Sequence, residues 1–475
     1  MRNALRELRA DPRQHLPSAL VVTIASLFGV AIIDGIAILS AWLRQAEAVQ
    51  ESGTALVMIW IVGIVFFGIA LFVSALVIAN TFGIIVAGRA ERLALLRLIG
   101  ASARRLRRSV GAEGLLVGVA GAPAGAVVGT GLASAGIWLM GRLDLAHDLA
   151  VNLLGPGLVA PVVTTVLITW AAAHAGSRRI LTVSPMQATG QAREPNLDEA
   201  RSGRARHVLS VLAAGGGTVL LGAGVWLGQV SPVGILVALP GGMLSFTGLV
   251  LGAAWVMPPV QRLAGAVLGR GPAGRLAARN AARYPVRTAR TTMGLVIGVT
   301  LIVMFATAAA NLNKAMALSN EAQTEMSAAE LAEVERLVAD ALAFFAVLLA
   351  FAVVIAVIGV VNNMSLSVLQ RRREIGLLRA VGLSRRRVRA MILAEAAQLT
   401  VAATMLGVVL GVLYGWAGAL SLLSALDGVG LMAPALPWGV LAGAVVAAGL
   451  VVAAASLAPA RRAARVSPTA ALQAV

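Results

Sequence analysis

The most chemically pointed stretch of this chain begins at an arginine triplet, Arg371, Arg372 and Arg373, and continues as E-I-G-L-L-R-A-V-G-L-S over 374–384. Its groups suit recognition rather than bond-making. Leu377 and Leu378 form an apolar face, Glu374 and Arg379 lie along its edge, and Gly382 suits a left-handed helix stop before Ser384. A short helix of this kind inserts its apolar face into a groove on a partner, and the surrounding charges orient the docking. Read only as a solvated juxtamembrane helix, it would bind anionic lipid. That reading leaves the paired leucines and the terminal glycine unexplained.

A near copy, E-R-L-A-L-L-R-L-I-G-A-S, stands at 91–102. Leu95, Leu96, Arg97, Gly100 and Ser102 fall where Leu377, Leu378, Arg379, Gly382 and Ser384 fall, 282 positions later. The same offset relates Asn80 to Asn362, Arg104 to Arg386, Arg105 to Arg387 and Glu113 to Glu395. A match that runs without a gap is an internal duplication. One departure matters: Arg92 stands where Glu374 stands, and Glu91 comes one place early.

The elements that must hold these loops follow from composition. Apolar residues make up 59% of the chain and charged residues 13%, against roughly 45–50% and about 25% in soluble domains. The apolar residues lie in long blocks, so an all-α polytopic membrane protein is expected. Ten spans are predicted, at 17–43, 54–88, 110–141, 152–174, 207–228, 232–260, 290–312, 338–370, 390–424 and 435–458. Residues 1–15, with Arg2, Arg6, Arg9 and Arg13 at helical spacing and Pro12 as an interruption, read as an interfacial helix. Arg275, Arg279, Arg283 and Arg287 repeat that pattern with Pro285 in the place of Pro12, and S-R-R-I-L-T-V-S-P at 177–185 is echoed by A-R-R-A-A-R-V-S-P at 460–468. The organisation expected is a first repeat over 1–200, a linker with two intervening spans over 201–270, and a second repeat over 271–475. Two intervening spans restore the side of the membrane, so the two four-helix repeats run parallel.

Basic residues set the orientation. With the N-terminus inside, every one falls on the cytoplasmic side except Arg44, Arg142, Lys314 and Arg336, while Glu47, Glu51, Asp144, Asp148 and Asp427 fall outside. Both termini are then cytoplasmic. The net charge of +18 reads as topology. It is dispersed between apolar spans, which argues against nucleic acid as a partner and for membrane lipid. Outside the membrane the longest outer segment is 313–337, where Ser327 and Glu330 form a capping box ahead of Leu331, Val334 and Leu337.

Within spans three and nine, glycines recur every four residues: Gly121, Gly125 and Gly129, then Gly407, Gly411 and Gly415. Small residues at this spacing let helices approach closely. Asp34 is the one clear carboxylate inside a span, a possible intramembrane polar site. Its place near the outer end of span one lets water reach it, as a structural or vestibule-lining group. No catalytic residues are evident. Cysteine is absent, so thiol chemistry and disulfides are excluded. The four histidines, at 15, 147, 174 and 207, are scattered, and no metal site is expected. A Walker A motif needs a lysine after glycine, whereas the one lysine, Lys314, follows Asn313. No cofactor is expected on this chain.

The run R-R-R-E-I-G-L-L-R-A-V-G-L-S, then R-R-R-V, then A-R-R-A-A-R-V-S-P resembles the FtsX-like permeases, the MacB, LolCE and BceB type of ABC transporter permease. So does R-L-A-A-R-N-A-A-R-Y-P-V-R-T-A-R-T-T ahead of span seven. The resemblance covers both halves and implies a bacterial cytoplasmic-membrane subunit, not itself an enzyme, worked by a separate dimeric ATPase that holds ATP and magnesium. It implies that the ATPase-coupling residues are Arg92, Leu95, Leu96, Arg97, Gly100 and Ser102 in one loop and Glu374, Leu377, Leu378, Arg379, Gly382 and Ser384 in the other. Two ATPase subunits per chain are expected, with motion passed along long helices to the outer face. The function expected is export or extraction of a hydrophobic or amphipathic compound from the membrane. The alternative is a regulatory module signalling to a kinase or cell-wall hydrolase.

Overall fold

The computed structural model describes residues 12–43, 53–88, 90–142, 151–177, 204–268, 285–322, 336, 384–426, 428–447 and 449–450. Among the described residues every regular element is a helix. In chain order these are α1 (Pro12–Leu43), α2 (Gly53–Gly88), α3 (Ala90–Leu98), α4 (Ala103–Arg142), a 3₁₀ turn (Pro156–Leu158), α5 (Val159–Gly176), α6 (Arg204–Leu227), α7 (Gly234–Leu251), α8 (Ala253–Leu268), α9 (Pro285–Ala322), α10 (Arg385–Leu423) and α11 (Trp438–Ala447). Eight of them, α1, α2, α4, α5, α6, α7, α9 and α10, are long and apolar enough to cross a bilayer. The chain is a multi-pass, all-α membrane protein. The predicted span 338–370 and the 323–335 part of the outer segment, with its capping box, lie outside the described residues.

The helices form two compact units, α1–α5 in one and α6–α11 in the other. In the first, α1 and α4 run parallel. Gly121 of α4 faces Val22, Gly125 meets the stretch from Thr23 to Leu27, and Gly129 meets Val30. Each contact joins residues about 99 positions apart, so the pair stays in step over two turns. Ser26 adds a cross-link, its Oγ donating to the Ala122 carbonyl at 2.8 Å. Nearer the N-terminus of α4 the same stripe continues: Gly114 and Gly118 seat Ala173, Thr169 and Val166 of the antiparallel α5. In hydrocarbon, apolar side chains gain nothing by meeting each other rather than lipid. Close backbone approach at small residues supplies the attraction instead.

The second unit repeats the parallel pair. Gly407, Gly411 and Gly415 of α10 meet Val299, Val303 and Thr307 of α9, a constant separation of 108. Between the repeats, α10 is α4 displaced by 282 positions, whereas α9 is α1 displaced by 273. The second repeat therefore carries nine extra residues between its first and third spans.

The two intervening helices form an antiparallel hairpin in a single register. Ser210 faces Gly252, Ala214 faces Gly248, Gly217 faces Ser245, Leu221 faces Gly241, Gly224 faces Ala238 and Gly228 faces Gly234. Every pair of numbers sums to 462. A Cβ on Gly217, Gly224, Gly234, Gly241 or Gly248 would strike backbone across the seam, so the helices touch main chain to main chain. The hairpin joins α10 through Tyr414, whose hydroxyl donates to Ser245 Oγ at 3.1 Å.

Two expected elements differ. The predicted span 232–260 breaks at Gly252: α7 ends at Leu251 and α8 starts at Ala253. Gly252 leaves room for Ser210 Oγ, and Pro258 and Pro259 lie inside α8 without backbone donors. The chain therefore turns, and α8 packs on α9 and α10, where Gln398 Nε2 donates to the Gln261 carbonyl at 3.1 Å. The second difference is at the N-terminus, where residues 12–15 are the first turn of α1 rather than part of a separate interfacial helix. Pro12 and Pro285 both lie in first turns, where a missing N–H and a fixed φ favour helix entry.

Glycine-to-alanine changes should separate by location. Alanine normally stabilises a helix position by about 1 kcal/mol relative to glycine. At Gly131, where nothing lies within 4 Å of an added Cβ, Gly131→Ala is expected to keep or raise the thermal midpoint in detergent. At Gly125 the Cβ meets the Thr23 carbonyl, and Gly125→Ala is expected to cost about 1–3 kcal/mol by overpacking. Equal responses at the two sites would refute the packing role.

Candidate partner-docking interface

The loop at 90–102 is built by three local devices. First, α3 is a nine-residue helix, too short to be stable on its own in water. Second, it ends in a Schellman motif: the Ala101 N–H donates to the Leu96 carbonyl at 2.9 Å, and the Gly100 N–H to the Arg97 carbonyl at 3.1 Å. Gly100 has φ +99°, a conformation that side chains with a Cβ resist. Third, Ser102 opens α4. Its Oγ accepts from the Arg105 N–H at 3.3 Å, and its carbonyl accepts from the Leu106 N–H at 3.1 Å.

The result is a short helix whose apolar side chains face outward. Ala94 is fully buried, whereas Leu95 is 47% exposed, Leu96 36%, Leu98 54% and Ile99 84%. Leu98 and Ile99 extend the apolar face beyond the two leucines that sequence reasoning picked out. Position 381, the counterpart of Ile99, is also apolar, Val381; that agreement was the available signal. Arg97 is half-buried, and Arg104, Arg105 and Arg108 are exposed beside the loop. The Arg92 side chain lies outside the described residues.

Of the second loop, Glu374, Leu377, Leu378, Arg379 and Gly382 lie outside the described residues. Ser384 is described, and it repeats Ser102 in detail. Its Oγ accepts from the Arg387 N–H at 3.3 Å and its carbonyl from the Val388 N–H at 3.0 Å. Both long helices thus start from the same cap, 282 residues apart. The two serines cap their helices (each cap worth about 1 kcal/mol), and both are exposed.

The intramembrane residues separate from this interface. Asp34 is buried, not open to water as its nearness to the end of the span implied, with Thr130 of α4 beside it. Its Oδ2 has no hydrogen-bond partner among the described residues. Among the described residues no cluster of three or more histidine, aspartate or glutamate side chains is arranged to hold a metal ion. Lys314 donates to the Ala433 carbonyl at 2.9 Å.

The family model for the FtsX-like permease C-terminal domain matches the chain twice, at 64–185 and 346–468, together more than half of its length. The matches start 282 residues apart, the offset that relates the two loops and the two serine caps. The chain belongs to the FtsX-like permease family, and so is a membrane subunit of the ABC transporter permease type, a family that works with ABC ATPases. Among curated proteins none matches it.

The loop geometry makes a prediction independent of any partner. Gly100→Val forces a β-branched residue into the left-handed region and should loosen the α3–α4 junction. Faster amide exchange confined to 95–106, with an unchanged global melting point, is the expected result. Unchanged exchange there would show that the positive φ is not required.

Proposed function

We propose that the chain is the permease of an exporter or extractor of hydrophobic or amphipathic compounds, and that α3 and its counterpart at 374–382 are the elements through which two ATPase subunits drive it. The observation that carries this reading is the outward-facing cluster Leu95, Leu96, Leu98 and Ile99, held by Gly100 against the head of a forty-residue helix. At 1.5 Å per residue α4 is about 60 Å long, twice the roughly 30 Å hydrocarbon layer. A displacement at its head therefore reaches the far side of the membrane, and α1, bound to it at three glycines, moves with it.

Recognition of an apolar compound fits a chain whose outer segments are short. The arginine asymmetry supports a cytoplasmic placement of both loops and both termini. Supporting the stoichiometry of one permease to two ATPases is the duplication itself. One chain already presents two similar docking elements, as half-size relatives would by dimerising. Ten spans grouped as four, two and four would resemble the BceB-type layout, with only the short segment 313–337 where that type has a large external domain. Of ATP and magnesium, both would belong to the partner.

The test is permease-stimulated ATP hydrolysis in nanodiscs with the ATPase from the neighbouring gene. Burial of one leucine is worth roughly 1.5–3 kcal/mol and a rim ion pair about 0–1 kcal/mol, so leucine loss should outweigh charge loss. Leu377→Ala with Leu378→Ala is expected to abolish stimulation with the fold retained. Leu95→Ala with Leu96→Ala is expected to be milder, because Arg92 replaces the carboxylate. If neither pair changes stimulation, the docking assignment fails. Native mass spectrometry should show one permease with two ATPases; a two-to-two complex would contradict the proposed stoichiometry.

A further inference from the structure

The segment 424–437 that links α10 to α11 is built like a fixed part rather than a tether. Three side chains from two helices hold its main chain. Lys314 Nζ donates to the Ala433 carbonyl at 2.9 Å. Asn311 clasps Ala435 on both sides, its Oδ1 accepting from the Ala435 N–H at 3.0 Å and its Nδ2 donating to the Ala435 carbonyl at 3.4 Å. Trp416 Nε1 donates to the Met432 carbonyl at 2.9 Å. Below them Val429 and Met432 are buried with Ala315, Ala419, Leu420 and Leu423, and Val225 of α6 packs on the same cluster. Gly428 (φ +78°) and Gly430 (φ +48°) turn the chain so that Leu431 projects outward, 67% exposed.

Leu431 is not an isolated exposed residue. On the same end of the unit Trp438 is 72% exposed, Trp226 70% and Val230 77%. The level of this rim is fixed by α6. From Arg206 to Trp226 is twenty residues, about 30 Å of helix, so Trp226 stands one hydrocarbon thickness from the arginine end. Below Trp226, α6 exposes Val219 and Leu212, the face a spanning helix gives to lipid. Charge decides what continues that face above. The sequence has no charged residue over 226–236 and a single one, Asp427, over 424–443. A rim that meets a water-soluble protein carries a polar, charged border. A rim of tryptophan, leucine and valine with a single carboxylate, at one bilayer thickness, matches the lipid interface.

We infer that the 424–437 segment, clamped by Asn311, Lys314 and Trp416, is a preformed prong whose Leu431 apex, with Trp438, Trp226 and Val230, inserts into the lipid interface opposite the arginine-rich side. Because the clamp is to α9 and α10, and those helices are bound at Gly407, Gly411 and Gly415, any tilt of that pair carries the prong through the lipid boundary. The partner named is lipid, and the contact does not require an ATPase.

The chain has no native cysteine, so single labels report cleanly. Leu431→Cys, Val219→Cys as the lipid-facing reference and Ser102→Cys as the water-facing reference would each carry an environment-sensitive fluorophore in phosphatidylcholine–phosphatidylglycerol nanodiscs. The expected result at 431 is strong quenching by nitroxide lipids labelled near the headgroup and iodide quenching severalfold weaker than at 102. Iodide quenching equal to that at 102, or protection from both quenchers, overturns the inference. Adding Lys314→Met should raise iodide access at 431 severalfold; unchanged access would remove the clamp from the account. The wild-type background keeps the lipid measurement readable whether or not that variant folds. Failure of either arm leaves the permease reading standing, since no ATPase is present.

Discussion

Helices in a bilayer have no water to escape from one another's company, and this structure answers that constraint with glycine. The α1–α4 pair, the α9–α10 pair and the α6–α7 hairpin each close at positions where a Cβ would strike a neighbour's main chain or Cβ. Such contacts gain from dispersion over short distances and have little tolerance for sliding. Everything else depends on that stiffness. In the proposed arrangement, a short helix on one side of a membrane can act on the other only if what it is attached to does not shear.

Much of this was legible in the sequence because the relevant signals are one-dimensional. The duplication showed as a constant offset, and the family match reproduces that offset. Spans showed as apolar blocks, and a left-handed stop at Gly100 was implied by the glycine that ends its copy. What stayed hidden involves choices made in three dimensions. Nothing local distinguishes Gly252, where a span ends, from Gly248, four residues earlier, which sits in the hairpin seam. Asp34 looked accessible from its place along α1, but its exposure depends on which face α4 covers. Lys314 was read for what it could not do, as a lysine outside any phosphate loop. Its bond to Ala433 joins residues 119 apart, beyond the reach of spacing arguments.

The repeats are alike where they meet the cytoplasmic partner in the proposed arrangement and unlike where they do not. Ser102 and Ser384 cap their helices with the same bonds at nearly the same distances. Nine residues then separate the registers of the two parallel pairs. In the second unit a clamped segment fills the end of the pair remote from the cap, built on Asn311 and Lys314. At offset 273 their counterparts in α1 are Ile38 and Ala41, neither of which can clasp a peptide.

The α6–α7 register bears on how the chain is assembled. Its contacts join residues from 6 to 42 positions apart, whereas the parallel pairs close loops of about a hundred. Ring closure over a shorter stretch loses less chain entropy and occurs sooner. The hairpin needs nothing from either repeat to satisfy its own backbone, and its seam is complete once residue 252 has entered the bilayer. In a chain translated from the N-terminus, it is therefore an early nucleus of the second unit, a finished wall standing in the membrane before α10 arrives to lean on it.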